Sequence, residues 1–93
     1  MWTIYEHKAL AKNLIGLPKE VLKRYQKWKD IVQISGPIGL KVIKGLHDEA
    51  LKGEWKGYRS SRLGLQYRVI YKLVNESLLV QVIDVNAHDY RRK

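Results

Sequence analysis

The sequence contains no cysteine. That absence removes disulfides, thiolate nucleophiles and cysteine-type zinc sites together, and is compatible with a reducing cytosol. No apolar run approaches the roughly 18 residues of a membrane span. The start, Met1-Trp2-Thr3-Ile4-Tyr5-Glu6, lacks a charged segment followed by an apolar one, as export would require. A soluble, unexported, cytoplasmic protein is the expectation. There is no internal repeat and no low-complexity stretch, and no two histidines stand close together at ligand spacing. Neither a metal nor a cofactor is therefore expected. At 93 residues the chain is short of material for both a core and a deep cleft. One domain spanning residues 1–93 is expected.

Acidic residues are also scarce, with 9 Asp and Glu against 18 Lys and Arg and a formal charge of +9. On so small a body that charge attracts polyanions: nucleic acid, an anionic membrane surface or an acidic protein. The pattern of apolar residues gives the elements. Trp2 and Ile4 share a face at period two, which predicts a short strand over Trp2–Tyr5. Leu10, Leu14 and Leu17 recur at helical spacing, until Gly16-Leu17-Pro18 breaks the pattern and Pro18 opens a second helix. From Lys19 to Ile34, the residues Val21, Leu22, Tyr25, Trp28 and Val32 form an apolar stripe, opposed by Lys19, Lys23, Lys27 and Lys29. Ser35-Gly36-Pro37 ends that helix.

The segment from Ile38 to Gly57 reads either as a short helix or as irregular chain with turns at Gly45 and Gly53. Beyond it, Tyr58–Leu63 is extended. Gln66–Leu73 alternates, with Tyr67, Val69, Tyr71 and Leu73 on one face and Arg68, Ile70 and Lys72 on the other. A hairpin bend near Asn75 leads to a third apolar strand, Leu78–Val85. The order β-α-α-β-β-β predicts an α+β domain with two N-terminal helices packed on one face of an antiparallel sheet, which the first strand joins.

Residues 1–47 carry a net +6, largely on helices, and residues 48–93 a net +3 that includes the strand arginines. Arg68 is expected to face away from the helices. There it either grips a phosphate through two forked hydrogen bonds or covers apolar neighbours with its stem. Arg59 and Arg62 differ in parity, so they converge only if a bulge forms near Ser60-Ser61. His47 and His88 have the chemistry for proton transfer near neutral pH, or are simply exposed. Glu49 reads as an ion-pair partner or a base. Trp2 and Trp28 read as packing, whereas Tyr90 either stacks on a nucleobase or folds back onto the sheet.

The stretch Leu51-Lys52-Gly53-Glu54-Trp55-Lys56-Gly57-Tyr58-Arg59-Ser60-Ser61-Arg62, followed by Gln66-Tyr67-Arg68-Val69-Ile70-Tyr71, resembles the RelE/ParE superfamily of bacterial toxins. Within it, the RelE, YoeB and HigB ribonuclease branches are the most similar. The helix pair, a G-Y/F-x-S-x-R strand, a Y/H-R-hydrophobic-hydrophobic-Y strand and a His/Tyr-bearing tail occur in order over essentially the whole chain. The resemblance implies a type II toxin that enters the ribosomal A site, cuts mRNA without a metal and is neutralised by an acidic antitoxin.

Carried over by position, the resemblance makes Arg68 the arginine on the scissile phosphate, Glu49 the base and Tyr90 the tail tyrosine. It places Lys52 in the lysine-bearing L-K-G segment. His88 is the candidate acid, although Asp89 separates it from Tyr90 and Arg91 follows. The two-lysine strand of RelE is absent, and Arg59 and Arg62 stand in its place, with Arg91 as a further RNA contact. The same superfamily implies a gyrase-poisoning alternative, as in ParE. A non-catalytic RNA-binding domain is a third reading. The basic helix face and the tail offer surfaces for an antitoxin, and the amphipathic stripe one for a dimer.

Overall fold

Val21, Tyr25, Trp28 and Val32 recur every three or four residues, and this stripe is the buried face of a 17-residue helix, α2 (Lys19–Ser35). The computed structural model describes residues 2–64, 66–74 and 79–87, with backbone alone for residues 79–84 and 86. Ahead of α2 come a strand, β1 (Thr3–Glu6), and a six-residue helix, α1 (Leu10–Ile15). After it come a short helix, α3 (Ile38–Lys41), and a two-residue strand, β2 (Glu49–Ala50). Three longer strands follow: β3 (Arg59–Arg62), β4 (Arg68–Val74) and β5 (Leu79–Asn86). Lys44–Leu46 and Gly53–Trp55 form 3₁₀ turns. The segment with two sequence readings is thus a short helix, two tight turns and an edge strand.

Gly36 stops α2. Its φ of 74° is open to glycine and strained for other residues. Its N–H donates to the Val32 carbonyl at 2.8 Å. The Trp2 indole lies so close that a Cβ on Gly36 would stand 2.4 Å from Trp2 Nε1. The chain start is pinned to the helix end at this point.

The strands form one five-stranded sheet in the order β1-β5-β4-β3-β2. Strands β2 to β5 make an antiparallel meander, of which the hydrophobic pattern predicts the last three strands, and β1 joins at the edge parallel to β5. The helices carry the chain to the far edge, so the meander returns β5 beside β1 running in the same direction. The expected α+β architecture is therefore present. On the helix side the core joins Leu10, Val21, Tyr25, Trp28, Val32 and Leu40 to Leu63, Val69, Tyr71 and Val85. On the opposite side Leu51 and Ile70, with Trp55 and Tyr58, make a second small cluster. Ile70 falls on the face that alternation assigns to Arg68 and Lys72, and it is buried beneath the 53–55 turn. Between Ile70 and Tyr71 the β4–β5 register shifts, two residues along β4 from Arg68.

Candidate functional site on the sheet face

Strand β3 divides its side chains between two environments. Arg59 and Ser61 point to the helix side and meet Asp48, whose side chain is fully withdrawn from solvent. Arg59 donates to Asp48 Oδ1 from Nε at 3.0 Å and from Nη2 at 2.6 Å. Ser61 donates to Asp48 Oδ2 at 2.7 Å and accepts from Trp28 Nε1 at 2.9 Å. The Tyr71 hydroxyl donates to the same Oδ2. A buried carboxylate is tolerated only with such a complement of donors. Burial works against the charge on Arg59, but hydrogen bonding and the charge of Asp48 outweigh it and hold the guanidinium pKa above its usual value. The Tyr71 phenol is pushed up by burial and by the adjacent Asp48 charge.

The neighbour of Asp48 goes to the other face. Glu49 pairs in register with Ser60, Ser60 with Ile70, and Arg62 with Arg68. Glu49 Oε2 lies 4.0 Å from Arg68 Nη1. The Arg68 side chain is 8% exposed and that of Glu49 37%. A mostly buried guanidinium is thus held against a carboxylate that solvent reaches. Ser60 is also fully buried there, and its hydroxyl has no hydrogen-bond partner among the described residues. Lys72 adds a cation 5.4 Å above the Tyr58 ring. The chemistry available is a proton acceptor, Glu49, beside a fixed positive charge that needs little reorganisation.

No protein-family model matches the sequence, and no curated protein matches it. Solved structures do match in shape. YafQ from E. coli has a TM-score of 0.65 at 22% identity, covering 95% of this chain and 94% of YafQ. The RelE–RelB complex of the archaeon Pyrococcus horikoshii gives 0.71 at 24%, over 99% of this chain and 97% of that one. A YoeB/ParE toxin from Agrobacterium tumefaciens gives 0.74 at 17%, over 96% and 100%. The chain has the RelE/YoeB toxin fold. Coverage is close to complete in both directions, so the likeness extends over the whole RelE-like domain.

On this RelE-like sheet the structure brings Glu49 and Arg68 to within 4.0 Å, with Arg62 opposite Arg68 in the β3–β4 register. Lys52 is exposed on the strand exit that follows β2. Arg59 is elsewhere. The β3–β4 register runs through Ser60 and Ser61 without a bulge, so Arg59 and Arg62 stay on opposite faces, and Asp48 occupies Arg59. His88, Tyr90 and Arg91 lie outside the described residues, as does the bend at Asn75. His7 is exposed, with Nδ1 accepting from the Ala9 N–H at 3.2 Å just before α1. Sequence reasoning passed over Asp48. The available signal was two polar residues, Arg59 and Ser61, on the inward face of a strand opposite Tyr71, which together demand a buried acceptor.

Proposed function

We propose that the protein is the toxin of a type II toxin–antitoxin system, a cytoplasmic endoribonuclease that cuts mRNA in the ribosomal A site and is held in check by an acidic antitoxin. The observation that carries this reading is the Glu49–Arg68 pair on the sheet face, 4.0 Å apart. The RelE-like fold and the charge of +9 support it.

In the proposed reaction Glu49 takes the proton from a ribose 2′-OH as that oxygen bonds to the adjacent phosphorus. Arg68, aided by Arg62 and Lys52, stabilises the added charge on the phosphoryl oxygens. The bond from phosphorus to the 5′ oxygen breaks, and that oxygen receives a proton from His88. The products are a 2′,3′-cyclic phosphate and a 5′-OH. Tyr90 orients a base and Arg91 holds the RNA backbone. These steps are carried by side chains, without a metal. A shallow site suffices because the ribosome supplies the substrate geometry. A gyrase poison on the same fold has no use for a carboxylate held against that arginine.

Mapping mRNA 5′ ends after adding the protein to translating ribosomes tests the reading. New ends within A-site codons are expected. Intact mRNA, with gyrase cleavage complexes trapped in a parallel supercoiling assay, would replace it with the gyrase reading.

A further inference from the structure

Trp55 takes no part in the proposed reaction, although it packs with Ile70 on the same side of the sheet as Arg68. The chain can turn back after it because Gly57 has a φ of 98°, a conformation open to glycine. Two backbone bonds close the turn: the Tyr58 N–H donates to the Trp55 carbonyl at 3.0 Å, and the Leu51 N–H to the Tyr58 carbonyl at 2.9 Å. The indole and the Tyr58 ring rest on Leu51 and Ile70. They meet edge-on, with centroids 5.4 Å apart and planes at 78°. Both rings are only partly buried, and an edge-on contact occupies at most one face of the indole. Lys72, also partly buried, holds its ammonium 5.4 Å from the Tyr58 ring centre, so a cation stands beside the aromatic pair. Lys52 and Lys56 flank the turn and are exposed, with Glu54 as the one carboxylate between them.

We infer that Trp55, Tyr58 and Lys72 form a stacking subsite for an RNA base that flanks the cut. Which base it receives rests on the ribonuclease reading; that it receives a base rests on these three side chains. Alternation puts Arg68, Ile70 and Lys72 on one face of β4, and the four-residue step from Arg68 to Lys72 spans about 13 Å. An RNA strand with its scissile phosphate on Arg68 can therefore run along β4 and lay a neighbouring base on the indole, with a phosphate near Lys72. Every base has a π-face to stack, and a purine offers more of it. Packing alone accounts for Leu51 and Ile70, which are buried. It does not call for two partly exposed rings with a cation beside them. That combination, continuous with the proposed phosphate-binding arginine, is the pattern of single-stranded nucleic acid sites.

Short single-stranded RNA oligomers added to the full chain read the subsite through tryptophan fluorescence, and need no cleavage. Oligoadenylate is expected to quench the wild type, and an abasic oligomer of the same length and charge to leave it unquenched. Trp55→Leu keeps an apolar side chain on Leu51 and Ile70. By the anisotropy of a labelled oligomer it should bind oligoadenylate about tenfold or more weakly, and Trp55→Phe should restore most of that affinity. Lys72→Gln should weaken every oligomer and lower the slope of log affinity against log salt by about 0.7, the value for one phosphate on a single strand. On translating ribosomes Trp55→Leu should flatten the preference for the base beside the cut. Equal affinity of the wild type and a folded Trp55→Leu protein for oligoadenylate would overturn the inference. Equal quenching of the wild type by the abasic oligomer would do so as well, whether or not Trp55→Leu folds. Base-dependent binding without mRNA cleavage would overturn the ribonuclease reading and leave the subsite standing. Cleavage with an unchanged base preference in Trp55→Leu would do the reverse.

Discussion

Asp48 and Glu49 are adjacent carboxylates with opposite fates. Asp48 is enclosed by donors from Arg59, Ser61 and Tyr71, whereas Glu49 emerges on the other face beside Arg68. Removing a buried partner strands the remaining charge, so Asp48→Ala should lower the unfolding free energy by about 3–5 kcal/mol. Urea titration measures this, and a loss below about 1 kcal/mol would mean that the network is not what holds the 45–49 segment to β3. Glu49→Gln should behave in the opposite way. Stability should fall less than in Asp48→Ala, because the Glu49 side chain is partly exposed and 4.0 Å from Arg68, while ribosome-dependent cleavage should fall by roughly 10²–10⁴-fold, the contribution of a positioned base. Equal loss of stability in the two variants would erase the distinction.

At the scale of elements, the junction of β1 and α2 rests on Gly36. Gly36→Ala must accommodate both a positive φ and a Cβ placed 2.4 Å from the Trp2 indole. A cost of about 1–3 kcal/mol is expected, together with a shift in Trp fluorescence as Trp2 moves. The same junction carries a pH dependence. The Tyr25 hydroxyl donates to Glu6 Oε2 at 2.6 Å, with Lys29 Nζ 3.3 Å from that oxygen. Burial, and then the Glu6 hydrogen bond, hold the Tyr25 phenol above its usual pKa, and Tyr71 is likewise raised. A raised pKa means that the folded state keeps a proton the unfolded state gives up. The stability from both tyrosines is complete below about pH 10 and is lost as pH rises above it. Denaturation at stepped alkaline pH should show that decline, and Tyr25→Phe should flatten it.

The elements most legible in the sequence were those with a strong period. The stripe from Val21 to Val32 placed α2 to within a residue, and alternation placed Arg68 on the face away from the helices. What stayed hidden depends on partners far along the chain. Only pairing with Arg59 and Ser60 marks β2 as a strand, since two residues have no period of their own. Nothing within Trp2–Tyr5 says that this strand will run parallel to β5. Arg59 looked like a free cation because its partner, Asp48, is eleven residues away in a segment whose turns no pattern predicts. The separate roles of Glu49 and Arg68 come from resemblance to a family, and their pairing at 4.0 Å comes from the structure.

For the whole molecule, the sheet keeps two activities apart. One face packs on the helices and sets stability. The other presents Arg68 and Glu49 above a small cluster of Leu51, Ile70, Trp55 and Tyr58. The net charge of +9 acts over the entire surface and should make association with ribosomes weaken steeply as salt rises. Attraction of that kind does not cut a phosphodiester, so the central claim concerns one arginine and not the total charge. It is tested most directly by mapping mRNA ends on translating ribosomes with the wild type and with Arg68→Ala, after thermal melting has shown both to be folded. A-site cleavage by the wild type and a loss of roughly 10²–10³-fold in the variant are expected, the scale for removing one preorganised charge from a reacting centre. Cleavage by a folded Arg68→Ala protein at the wild-type rate would contradict it.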